Sequence, residues 1–299
     1  MPKPLRHAYL IMAHGNFPIL EKQLRFFDSE NTDFFIHIDA KVRDFDFARF
    51  AAIPTRSRVT FVDRIRVSWG HYSQIECELI LLKAALPGGY DYSHLLSGVD
   101  VPIKTLAQIE ERFARTPGVN YLHCQHDVPG REYTDRLRYY YPFQRLNIQN
   151  RAVCTVLRRA CQYAQAAVGV DRIRKNAPDM VIQKGANWFS ITHALAEYAV
   201  EQEPWIRRTF RGGFCCDEIF LQTLVMNSDF KDTLSPQTYS DDHRPCLRYI
   251  DWVRGKPYTF ADADFDELVS SGEDYLFARK FDYSRSPGIV DRLFEHFAE

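Results

Sequence analysis

Between residues 8 and 100 the sequence repeats one pattern, a short apolar run, a turn signal and a stretch of helical spacing, and that pattern narrows the fold more than any other feature. Ala8 to Ala13 (AYLIMA) is an apolar run of strand length. His14-Gly15-Asn16 breaks it, Pro18 stands where a helix can begin, and Asn16 is a candidate cap. Leu20, Leu24 and Phe27 then keep helical spacing. Phe34 to Ile38 predicts a second strand ending at Asp39, and Val59 to Val62 a third. Ile75, Leu79, Leu82 and Leu86 predict an amphipathic helix that stops at Pro87-Gly88-Gly89, before a fourth strand from Tyr92 to Leu96. Strands alternating with helices imply an α/β fold, a mostly parallel sheet flanked by helices. Ligands in such sheets lie outside the carboxyl ends of the strands, which makes His14, Asp39, Trp69 and Asp100 neighbours in one crevice.

The remainder is helical and aromatic before strand character returns. Leu157, Cys161, Ala164 and Val168 mark a helix after the run Tyr139-Tyr140-Tyr141-Pro142-Phe143. Trp188 to Ile191 reads as a strand and about Ala194 to Gln202 as a helix. Asp217 to Met226 reads as a helix, and another begins near Ile289. No repeat or linker interrupts the 299 residues, so a single domain is expected, in two parts, about 1–123 and about 124–299. The net charge of -1 conceals a basic segment: residues 131–175 hold ten Arg and Lys against three acids. Either an anionic partner, such as a membrane surface, or a solvated helical face accounts for it. The near-neutral whole, without a recognised motif, argues against nucleic acid. No stretch approaches the roughly 18 to 20 apolar residues of a membrane span. Residues 1–6 lack the regions of a signal peptide, and the seven cysteines show no C-x-x-C spacing. A cytoplasmic protein with reduced thiols is expected, at the inner face of the plasma membrane if the basic segment docks there.

Several side chains are candidates for chemistry, each with a structural alternative. Asp39, at a strand end, can accept hydrogen bonds from a nucleobase or ribose, or simply cap a turn. Asp217 and Glu218 open an apolar helix; Asp217 suits its cap, and Glu218 in the first turn can serve as a general base or merely start the helix. Arg248 and Lys280, embedded in apolar runs, can hold a diphosphate or pair with core carboxylates. Asp-x-Asp occurs at Asp44/Asp46, Asp262/Asp264 and Asp264/Asp266, none of them at the fourth strand end, where Asp100 is the single acid. One carboxylate there leaves a metal open, and the basic pair offers a route without one. The absence of G-x-S-x-G, a P-loop and G-x-G-x-x-G argues against a serine hydrolase, a P-loop enzyme and a dinucleotide oxidoreductase.

Taken in order, several fragments resemble one family. They are Ala8–His14, Ile36–Lys41, Val67–Gly70, Leu96–Thr105, Gly185–Ser190, Asp217-Glu218, Leu247–Trp252 and Phe277–Asp282. Together they resemble the core-2/I-branching β-1,6-N-acetylglucosaminyltransferase and peptide O-xylosyltransferase family (glycosyltransferase family 14). The resemblance implies a GT-A-like sheet without the metal-binding Asp-x-Asp, no metal and no cofactor beyond the donor. It implies that Met12, Ala13 and His14 contact the nucleotide and that Asp39 faces the uracil. Arg66 occupies the place of a nucleotide-contacting Tyr, and Asp100 closes the fourth strand. It further implies that Glu218 is the base and that Arg248 and Lys280 neutralise the UDP diphosphate. Animal members carry a membrane anchor and disulfides, so a bacterial relative is expected.

The activity so implied is inverting transfer of a sugar from a UDP-sugar to a glycan or lipid-linked saccharide hydroxyl, with β product. N-acetylglucosamine is the first expectation, with xylose, galactose and glucuronate as alternatives. Two rivals stand: a binding module that has lost turnover, and a metal-dependent retaining transferase.

Overall fold

A computed structural model describes residues 4–125, 131–145, 151–176 and 179–298. Strand β1 (His7–Ala13) lies at the middle of the main sheet, and its residues alternate between two cores. Ala8 and Leu10 enter one, and Tyr9, Ile11 and Ala13 the other. Burial on both faces is why the run is apolar throughout rather than alternating. Helix α1 (Phe17–Phe26), β2 (Thr32–Ile38), α2 (Phe47–Ala51), β3 (Val59–Phe61), α3 (Ser73–Ala85) and β4 (Tyr92–Ser97) follow in chain order. β1, β2, β3 and β4 are parallel, with β1 flanked by β2 and β4.

Next come β5 (Val101–Pro102), α4 (Leu106–Arg115), β6 (Tyr121–Leu122), α5 (Arg131–Arg138), α6 (Arg151–Ala167), α7 (Arg172–Asn176) and β7 (Phe189–Thr192). α8 (His193–Glu201), α9 (Glu203–Phe210), α10 (Phe220–Met226), β8 (Arg248–Ile250), α11 (Phe265–Val269), β9 (Phe277–Arg279) and α12 (Pro287–His296) complete the chain. β7 joins β4 antiparallel and carries β6 at the edge, giving the order β3-β2-β1-β4-β7-β6. Helices α3, α8, α9 and α10 pack on one face, and α1, α2 and α4 on the other. The expected mixed sheet, mostly parallel and flanked by helices, is present. A second sheet, β5-β9-β8, forms a third core with α11 and α12.

Two local expectations are corrected. Asn16 precedes α1 in the left-handed region (φ 52°, ψ 40°) and makes no side-chain cap; its Oδ1 accepts instead from the backbone N–H of Tyr283, 2.9 Å away. Asp217 and Glu218 do not open the apolar helix either. They belong to a 3₁₀ turn, Cys216–Glu218, and α10 starts only at Phe220 because Ile219 (φ -131°) breaks the helical path.

The chain enters β7 along a buried path between β6 and α10. Gln183 N–H donates to Thr223 Oγ1 (3.1 Å), Gly185 N–H to the Glu218 carbonyl (2.9 Å) and Ala186 N–H to His123 Nδ1 (3.1 Å). Gly185 is required here because a Cβ would lie 1.6 Å from the His123 carbonyl oxygen. Gly185→Ala should therefore lower stability by about 2 to 3 kcal/mol, measured by denaturant unfolding. An unchanged midpoint and slope would show that the path can shift without cost.

Candidate active site

Three strand ends are tied together at one edge of the sheet. Asp39 N–H donates to the Ala13 carbonyl at 2.9 Å, and Gly98 N–H donates to the Met12 carbonyl at 3.0 Å. Gly98 fits because a Cβ there would press on Ala13 Cβ at 3.2 Å. Met12, Ala13, His14, Asp39 and Asp100 are thus gathered along that edge, with Met12 half-buried and His14 exposed. Asp39 is 4% exposed, and its carboxylate accepts from Lys41 N–H (2.8 Å) and Val67 N–H (3.3 Å), with Lys41 Nζ at 3.3 Å. Arg66 is exposed. Its neighbour Arg64 fastens the exit of β2 by donating to the Ile38 and Asp39 carbonyls, each at 2.9 Å.

The exit of β4 is held from both sides. Asp100 is 1% exposed; its Oδ2 accepts from Ser97 N–H at 2.6 Å, and Arg279 Nε lies 3.6 Å from Oδ1. Burial raises the Asp100 carboxyl above its ordinary range, with Arg279 opposing. Gln23 on α1 donates to the Ser97 (2.9 Å) and Asp100 (2.7 Å) carbonyls. Arg279 itself stacks on the Trp188 indole, 3.9 Å from its centroid. The half-buried Lys280 follows, and Phe281 N–H donates to the Val99 carbonyl (3.1 Å), so this segment rides on the same turn.

Arg248 does not present its guanidinium to that edge, contrary to the diphosphate role expected of it. It is 1% exposed and donates to the carbonyls of Cys246 (2.6 Å), Leu95 (3.1 Å) and Phe189 (3.0 Å), while stacking on Phe277. An arginine bound to three carbonyls organises backbone rather than ligand. Ser190 Oγ, 3.4 Å from Arg248, continues the polar line to His94 and on to His7, each step 2.9 Å. Burial takes the His7 ring down to about 4 and His94 lower than its ordinary value.

Glu218 is fixed by cations. Arg136 on α5 donates to its Oε2 at 2.8 Å, and Lys184 Nζ lies 3.9 Å from the same oxygen. Its side chain keeps 34% exposure. The segment from Gly185 to Trp188 spans from the Glu218 carbonyl to the Arg279 guanidinium. The Asp-x-Asp matches lie elsewhere: Asp46 caps α2, and Asp264 is bound by Arg254 beside the second sheet. No disulfide joins any of the seven cysteines.

Residues 7–267 match the family model described as Core-2/I-Branching enzyme. The chain belongs to that family. This Core-2/I-branching chain is 23% identical over 317 residues to Xylosyltransferase 2 of Homo sapiens, covering 98% of itself and 34% of that protein. It is 22% identical to Xylosyltransferase 1 of Rattus norvegicus (98% and 35% covered) and 21% identical to Xylosyltransferase sqv-6 of Caenorhabditis briggsae (93% and 35%). It thus spans about a third of the length of these relatives. The solved structure of mannose-1-phosphate geranyltransferase from Thermus thermophilus superposes with a TM-score of 0.31 at 13% identity, over 77% of this chain and 67% of that one. That likeness is too slight to carry an argument.

The structure adds residues to the site that the sequence did not single out. Arg136 and Lys184 grip Glu218, Arg279 compensates Asp100, and Gln23 clamps the β4 exit. For Arg279 a signal existed, because it stands beside Lys280 in the same apolar run, FARKF. Behind Glu218 two further acids are enclosed. Asp217 Oδ2 accepts from Gln74 Nε2 at 2.7 Å, its Oδ1 lacks a hydrogen-bond partner among the described residues, and Glu78 is fully enclosed. Burial, with Glu218 adjacent, raises Asp217 from 3.8 to about 7; burial and Asp217 raise Glu78 well above its ordinary value.

A carboxyl raised on folding contributes its full stability only below its unfolded value, and loses it as the pH climbs through the folded value. For Asp217 the loss falls between about pH 4 and pH 7. Asp217→Asn should therefore gain stability relative to the parent on going from pH 5 to pH 8, by on the order of a few kcal/mol, in parallel denaturant titrations. A difference independent of pH would mean that Asp217 is charged in the folded protein throughout.

Proposed function

We propose that the protein is an inverting glycosyltransferase, moving a sugar from a UDP-sugar to a hydroxyl of a glycan-like acceptor without a metal. Glu218 carries the reading: a partly exposed carboxylate gripped by Arg136 and Lys184, at the position where the family pattern has its base. In the proposed step Glu218 takes the proton of the acceptor hydroxyl as that oxygen bonds to the anomeric carbon. The bond from that carbon to the diphosphate breaks, and UDP leaves with the electron pair. Attack opposite the leaving group turns an α-linked donor into a β product, through a transition state of oxocarbenium character.

The nucleotide lies along Met12–His14, Asp39 and the Ser97–Asp100 turn, with the exposed Arg66 as a cation at the rim. Lys280 supplies positive charge to the diphosphate. Arg279 stands behind it in the place first expected for Arg248, and Arg248 holds the strand ends from beneath. The relatives are named for xylose, so UDP-xylose joins UDP-N-acetylglucosamine as the first donor to try.

The test is a UDP-release assay across UDP-sugars, with and without EDTA. Turnover that survives EDTA is expected, and turnover abolished by EDTA and restored by a divalent cation would replace this reading by a metal-dependent one. General-base help is worth about 10²- to 10⁴-fold, so Glu218→Gln should lose activity on that scale while UDP affinity stays within about twofold. Near-parental turnover would remove Glu218 from the mechanism. Lys280→Ala should weaken UDP far more than uridine, by titration calorimetry; equal losses would show that Lys280 does not meet the diphosphate.

A further inference from the structure

Helix α6 turns an apolar face to solvent. Val156 is 65% and Tyr163 75% exposed, and Val168, just past its end, is 77% exposed. Ala160, Ala164 and Ala167 on the same face are exposed too. Polar side chains point inward instead: Gln162 Nε2 donates to the Tyr141 hydroxyl (2.8 Å), and Gln165 exchanges hydrogen bonds with the Tyr140 backbone (2.8 and 2.9 Å). A surface helix of a globular protein normally has the opposite arrangement.

Tyr140 links this face to a pocket of about 360 Å³ lined by Arg172, Arg207, Arg208 and Arg211 together with Pro204. Arg172 forms its floor. It is 5% exposed, donates to the carbonyls of Leu137, Tyr139, Thr209 and Arg211 at 2.7 to 3.4 Å, and stacks on Tyr140 at 4.5 Å. The exposed Arg207, Arg208 and Arg211 form no ion pair among the described residues, and the nearby Glu203 is engaged by Lys83. A patch that is apolar on one side and arginine-lined on the other matches an anionic amphiphile. A second copy of the chain suits it poorly, since a symmetric contact would set arginine against arginine.

We propose that α6 and the adjoining arginine pocket dock on an anionic phospholipid bilayer. Val156, Tyr163 and Val168 enter the headgroup region, and Arg207, Arg208 and Arg211 meet the lipid phosphates. The described residues contain no helix long and apolar enough to cross a membrane, so this is contact in the plane of the surface. Docking also bears on the site: Arg158 of α6 lies over the Phe214 ring at 4.8 Å, and Phe214 leads into the turn that carries Glu218. The docking does not rest on the proposed transfer.

Co-sedimentation with vesicles of phosphatidylcholine, alone or mixed with phosphatidylglycerol, tests it. Binding to the mixed vesicles only, weakening with added salt, is expected. Arg207→Glu/Arg208→Glu/Arg211→Glu and, separately, Val156→Asp/Tyr163→Asp should each weaken it about tenfold or more. All five side chains are exposed, so melting curves followed by circular dichroism should match the parent. Equal binding to both kinds of vesicle, or none to either, would overturn the proposal. So would parental binding by folded variants, or a dimer in light scattering that Val156→Asp/Tyr163→Asp dissolves, which would make α6 a contact between copies.

Discussion

The edge where β1, β2 and β4 end depends on one enclosed carboxylate. Asp100 is 1% exposed, and a charge so placed persists only if the fold supplies partners. Ser97 N–H and Arg279 supply them, and Gln23 fixes the carbonyls of the same turn. The consequences run outward from there. Gly98 is brought against Met12, which aligns the first and fourth strand ends. Arg279 draws β9 onto the turn, so the second sheet, and Lys280 with it, is anchored to the edge where a nucleotide would lie. Trp188 covers the same guanidinium and thereby ties in the segment that leads back to Glu218.

Electrostatics divide the site into two parts with different logic. Along the strand ends, buried acids meet fixed N–H donors and enclosed guanidinium groups, an arrangement that holds shape. Around Glu218 the acids differ in exposure: Asp217 and Glu78 are enclosed and raised, whereas Glu218 reaches solvent and two cations.

Much of the main sheet was legible because β1, β2 and β4 are buried on both faces and so appear as largely apolar runs. The edge where these strands end followed from topology, and Asp39 and Asp100 from their place at strand ends. The second sheet was not legible, because strands as short as Val101–Pro102 carry no periodicity. Charged residues in apolar runs announced burial with a partner but not which partner. Arg248 and Arg279 look alike in sequence, yet one binds three carbonyls and the other a carboxylate beside the edge. The turn before α10 was hidden for a similar reason: Asp217 suits a helix cap by type, but it is taken by Gln74 from α3, 143 residues away.

The central claim is that the ends of β1, β2 and β4 form the nucleotide site. Hydrogen–deuterium exchange with and without UDP, in EDTA, tests it most directly. The account predicts slowed exchange at the amides of residues 12–16, 39–42 and 97–100. Slowed exchange confined to the arginine pocket around residues 207–211, or none anywhere at saturating UDP, would contradict it.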